Sequence, residues 1–95
     1  MSRVRCFTVA GLVLWFNSDD HSPPHFHASR RGEFLVRVFI DATTRRCLSF
    51  EIVWTRKARN PLGKYRGQLA SAVVDNRAAL LVEWESRVVQ RGRKA

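Results

Sequence analysis

The sequence predicts an α+β fold: a four-stranded, mainly antiparallel sheet with one face covered by a C-terminal helix or helix pair. Three observations carry this. Apolar side chains run in strand-like blocks or alternate through the first half of the chain, recur at helical spacing in the last third, and are separated by a stretch rich in positive charge. The 95 residues suit one domain, and 45% apolar content with three Trp and six Phe is enough to build a core without staples. We divide the single domain 1–95 into a strand-rich part (1–54), a basic linker (55–67) and a helical part (68–91).

The first strand is expected over Phe7 to Phe16, a continuous apolar run rich in β-branched and aromatic residues, as suits a strand covered on both faces. Gly11 inside it marks a bulge or a close backbone approach. A polar loop follows at 17–24. His25 to Ser29 and Glu33 to Ile40 then form a hairpin, with Gly32 at the left-handed position of a three-residue loop Arg30-Arg31-Gly32. That register sets Phe26 opposite Val36, Ala28 opposite Phe34, His25 opposite Arg37 and His27 opposite Leu35.

Cys47 to Trp54 alternates cleanly, with Leu48, Phe50, Ile52 and Trp54 on the core side. Pairing Val38 with Leu48 puts Ser49 opposite Arg37 and Glu51 opposite Leu35. The outer face of this meander then gathers His25, His27, Arg37, Ser49 and Glu51. From Gln68 to Val89, Leu69, Val73, Leu80, Trp84 and Val88 recur at helical spacing, and Asp75-Asn76 offers a cap for a second helix. One kinked helix and two helices both fit this pattern. All three tryptophans sit in apolar patterns and read as core.

Charge narrows the function classes. Seventeen Lys and Arg against eight Asp and Glu give +9. Residues 1–29 hold Arg3 and Arg5 against Asp19 and Asp20, so the whole excess lies from Arg30 onward. Arg30, Arg31, Arg56, Lys57, Arg59, Lys64 and Arg66 are the expected contacts for RNA or another polyanion, through phosphates rather than base edges. The basic tail Arg91, Arg93 and Lys94 adds non-specific attraction. Cys6 and Cys47 have no metal-ligand spacing and read as two free buried thiols. No cleavage site follows the early apolar run, which has about half the length of a membrane-spanning helix. We therefore expect a cytoplasmic protein that does not enter a membrane.

The chemistry concentrates in Asp20-His21-Ser22-Pro23-Pro24-His25-Phe26-His27, which holds all three histidines. Two prolines stiffen the backbone ahead of His25, and the spacing of two points His25 and His27 to one face of a strand. Three readings follow. In the first, His21, His25, His27 and Asp20 hold a divalent transition metal such as Zn, Ni, Cu or Fe, with Asp19 an alternative to Asp20. In the second, the protein cleaves RNA without a metal: His27 or Glu51 is the base, His25 the acid and Arg37 the charge stabiliser. In the third, the imidazoles only satisfy local hydrogen bonds.

The segment from Gly11 to Ala28, with Asp20, His21, Pro23, Pro24, His25 and His27, resembles a family of small prokaryotic proteins known as domain of unknown function 4160. Asn76-Arg77 followed by Leu80, Leu81 and Trp84 is similar to that family's Asn-Arg-x-x-Leu-Leu-x-x-Trp stretch. The chain departs from the family where Ile52-Val53-Trp54 and the linker replace a Gly-x-Leu-Pro segment, and where Ala72 replaces a Trp. The resemblance implies a toxin–antitoxin-like gene context with a small partner protein, and carries no activity. Together these readings lead to a small basic protein of such a pair that engages RNA. The alternative is a non-catalytic module that binds an acidic partner protein or holds a metal through its histidines.

Overall fold

The computed structural model describes residues 2–89. Five strands, one more than expected, form an antiparallel meander in the order β1-β2-β3-β4-β5: β1 Ser2–Arg3, β2 Val13–Phe16, β3 His25–Arg30, β4 Phe34–Phe39 and β5 Phe50–Thr55. Two helices follow, α1 Tyr65–Asp75 and α2 Arg77–Trp84, and a π-helical turn Glu85–Val89 extends α2. Arg91, Arg93, Lys94 and the end of the expected helical part lie outside the described residues.

The added strand comes from a turn within the first apolar run. Gly11 takes φ +91°, a left-handed value that suits glycine, and Leu12 N–H donates to the Val9 carbonyl at 3.0 Å. The chain doubles back, so β2 begins at Val13 and pairs Trp15 with Arg3 and Phe16 with Ser2. A Cβ on Gly11 would stand 2.7 Å from Tyr65 Oη, which is the close approach that the sequence suggests.

The β3–β4 hairpin keeps the expected faces and shifts the register by two. Phe26 pairs with Val38, Ala28 with Val36, His25 with Phe39 and His27 with Arg37. The loop is Arg31-Gly32-Glu33, with Gly32 at φ +75°. It closes through Glu33 N–H to the Arg30 carbonyl at 2.9 Å and an Arg30–Glu33 ion pair at 3.1 Å. A shift of two leaves every side chain on the same face, so hydrophobic alternation alone cannot detect it.

β4 and β5 show the same offset, plus an irregularity. Val38 pairs with Phe50 and Arg37 with Glu51, in place of Leu48 and Ser49. Between Val36 and Leu35 the register slips by one, so Ile52 faces Val36 while Trp54 faces Leu35. The slip moves Trp54 off the core face, and it is 44% exposed rather than buried. Ile52 keeps its core-side partner yet is 43% exposed at the sheet edge.

One hydrophobic cluster unites the inward residues of the sheet (Leu14, Phe16, Phe26, Ala28, Phe34, Val36 and Val38) with Leu69, Val73, Leu80 and Trp84 of the helices and Val88 beyond them. The five helical-spacing positions read from the sequence are all buried. Asn76 separates the helices, but its side chain does not cap α2. Its amide donates to the Ala72 carbonyl at 2.8 Å, tying it to the end of α1. Arg77 reaches the Ile40 and Thr43 carbonyls, and Glu83 accepts from the Arg5 and Cys6 backbone amides at 2.9 Å each, so α2 is fastened to the β4–β5 loop and to the segment just after β1. Both cysteines are free: Cys6 is half-buried and Cys47 is exposed, not buried as expected. Burial and the neighbouring Glu83 push the Cys6 thiol up to about 11.

Candidate metal centre

The site begins with the loop between β2 and β3. Asn17 N–H donates to Asp20 Oδ2 at 3.0 Å, and Asp20 N–H donates to the Asn17 carbonyl at 3.1 Å. Trp15 Nε1–H donates to Asn17 Oδ1 at 3.2 Å, fixing the turn to β2. These bonds hold the Asp20 carboxylate, 11% exposed, over the start of β3. The Ser22–Pro23 peptide is cis, and Pro24 leads directly into His25.

His25 and His27 point to one face of β3, as their spacing requires. Both are buried, at 6% and 5% exposure. His25 Nδ1 lies 2.9 Å from the Pro23 carbonyl, which can only accept, so this nitrogen carries the proton. In the neutral imidazole the opposite nitrogen, Nε2, then presents a lone pair, and it faces Asp20 Oδ1 at 3.6 Å. His27 Nδ1 faces Asp20 Oδ2 at 3.7 Å. Both distances exceed hydrogen-bond length, and these two ring nitrogens have no hydrogen-bond partner among the described residues.

Aromatic rings wall the pair. Trp15 stacks on His27 with centroids 5.3 Å apart and planes at 16°. Trp84 and Phe39 stand 5.4 and 5.8 Å from the His25 ring. Burial lowers the pKa of His27, with Asp20 opposing and the charges of His25 and Arg37 assisting. Its neutral form, which carries a lone pair for a metal, is therefore favoured.

The donor atoms of Asp20, His25 and His27 all lie within 4.8 Å of one another, close enough to hold a metal ion. Two ligands at about 2.0–2.1 Å from a tetrahedral zinc are roughly 3.3 Å apart, and the two imidazole–carboxylate contacts, each to a different oxygen of Asp20, stand at 3.6 and 3.7 Å. His21 and Asp19 are exposed and stand outside this group.

The structure assembles the other expected residues differently. Arg37 and Glu51 do share the outer face with His27, through the Arg37–His27 and Arg37–Glu51 pairings. Arg37 Nη1 donates to Glu51 Oε1 at 2.7 Å, so guanidinium and carboxylate engage each other. Arg30, Lys57 and Lys64 meet with Glu33 and Tyr65 around an open cleft of about 350 Å³. Arg30 Nη1 donates to Tyr65 Oη at 2.8 Å there. Arg31, Arg56, Arg59 and Arg66 are exposed, and Arg66 lies over the Phe50 ring. Sequence reasoning missed Trp15 and Trp84 as walls of the histidine site, because both read as ordinary core. The β2–β3 pairing of Trp15 with His27 was the signal that could have exposed the first.

The family described as Domain of unknown function (DUF4160) matches residues 11–85. The chain belongs to that family. Its match spans Asp20, His25, His27 and both helices. No curated protein and no solved structure matches the chain. Among the described residues, no helix is long and apolar enough to cross a membrane.

Proposed function

We propose that this DUF4160 protein is a metal-binding module, with Asp20, His25 and His27 holding one divalent transition ion. The observation that carries the reading is the pair of buried, unpartnered imidazole nitrogens facing one carboxylate. Leaving a buried polar atom unpaired costs about 1–3 kcal/mol. Here two such atoms sit together with an anion, and a cation between them would satisfy all three. Two imidazoles and a carboxylate suit zinc and its first-row neighbours, and the Pro23 carbonyl orients His25 from behind as such ligands require. His21, on the adjoining loop, is the candidate for a fourth ligand.

Elemental analysis of protein purified without an affinity tag tests this directly. We expect close to one transition metal per chain, or a rise in melting temperature of about 10 °C or more when zinc is added at a hundredfold excess over its dissociation constant. Protein that carries no metal and gains no stability from zinc, nickel, copper or iron would sink the reading.

A second reading rests on a separate observation, the gathering of Arg30, Lys57 and Lys64 at one cleft. It holds that the protein, in a two-component context in the cytoplasm, engages RNA phosphates with this surface. Binding of a single-stranded RNA should weaken steeply with salt and lose affinity in Lys57→Glu with Lys64→Glu. Salt-independent binding, or none, would remove this second reading.

A further inference from the structure

The edge strand β5 carries a different kind of information from the histidine site. It ends the sheet, with β4 alone beside it. Ile52, Val53 and Trp54 are consecutive and 43%, 42% and 44% exposed. Single exposed apolar residues are ordinary, but three in a row on an edge with unpaired backbone groups form a template for another strand. The register slip divides their display: Ile52 follows the core-side face and Trp54 the opposite one, so an added strand would meet apolar surface on both sides.

Charge selects the occupant. The chain continues from β5 into Arg56, Lys57 and Arg59, all exposed and none in an ion pair among the described residues. No acidic residue occurs from Thr55 to Arg66. A second copy would bring an equal +9 charge to the seam. Nucleic acid would use the cations but leave the apolar residues and the backbone edge unmatched. A protein strand flanked by carboxylates matches all three features.

We propose that β5 takes up an extended acidic segment of a partner protein as a sixth strand. Its backbone pairs with the open edge, its apolar side chains lie on Ile52 and Trp54, and its carboxylates meet Arg56, Lys57 and Arg59. This surface stands independently of the metal centre.

The probe is a fluorescein-labelled 12-residue peptide with an alternating Val–Thr centre and Glu at both ends, read by fluorescence anisotropy. Binding should be saturable, fall at least tenfold in Ile52→Lys with Trp54→Lys, and fall similarly in Arg56→Glu with Lys57→Glu. Circular dichroism should show both variants folded, since every altered side chain is exposed. Three results would overturn the proposal: no binding, equal binding of the same peptide with Lys ends, or single-stranded uridine 12-mer binding that Ile52→Lys with Trp54→Lys weakens. Sedimentation of the chain alone as a dimer that Trp54→Lys dissociates would also overturn it, assigning the edge to a second copy.

Discussion

β3 and β5 are each six residues long, and both belong to one antiparallel sheet, yet they end in opposite environments. β3 runs between two neighbours, and its first four residues are buried. β5 has a neighbour on one side only, and its central four residues are exposed. The apolar alternation of Cys47 to Trp54 is the cleaner pattern of the two, so alternation does not decide burial here. Position in the sheet does. An inner strand can bury polar imidazoles because flanking strands, the Asp20 loop and Trp84 close around them. An edge strand leaves even Trp54 half in solvent.

The largest expected effect sharpens this contrast. Phe26→Ala, at a fully buried position of β3, should cost about 3–5 kcal/mol in urea unfolding. Ile52→Ala, on β5, should cost under about 1 kcal/mol, because much of its side chain already meets water. Equal costs would mean that β5 is covered in solution and would break the comparison.

Acid provides the next test. The folded-state pKa of His27 lies below the ordinary imidazole value, so the unfolded chain binds the proton more readily. The contribution is complete above the unfolded pKa of about 6.5 and is lost as pH falls below it. The metal-free melting temperature should therefore drop between pH 7.5 and 5.5, and the drop should be smaller in His27→Gln. An equal drop in both proteins would show that His27 is not responsible.

The smallest effect concerns the pair that ties β5 to its one neighbour, β4. Arg37 and Glu51 are exposed at 40% and 58%, so Arg37→Ala should change stability by about 0–1 kcal/mol. A double-mutant cycle with Glu51→Ala measures the coupling. A value well above this range would make the pair a structural tie instead of a surface contact.

How much the sequence revealed follows from the same contrast. Which residues of β3 and β4 share a face was legible, since it needs only parity, and His25 and His27 were correctly set on one face with Arg37. Register was not legible, because a shift of two preserves every face. The slip near Val53 was equally silent, and it carried Trp54 across the sheet. The turn at Gly11 left a trace as a glycine within an apolar run, but its outcome, a fifth strand from Ser2–Arg3 paired with β2, left none, because two residues are too few to show an alternating pattern. Asp20 could be named as a candidate ligand from its place beside the histidines. The orientation of the His25 ring, which turns Nε2 towards Asp20, could not, because it depends on where the Pro23 carbonyl points.

Isothermal titration of zinc into the tag-free, metal-stripped chain tests the central claim most directly. One site per chain is expected, lost in His25→Ala with His27→Ala and weakened about tenfold or more in Asp20→Asn, while Ile52→Ala binds like the parent. Absence of binding, or zinc binding that survives the loss of both imidazoles, would contradict it.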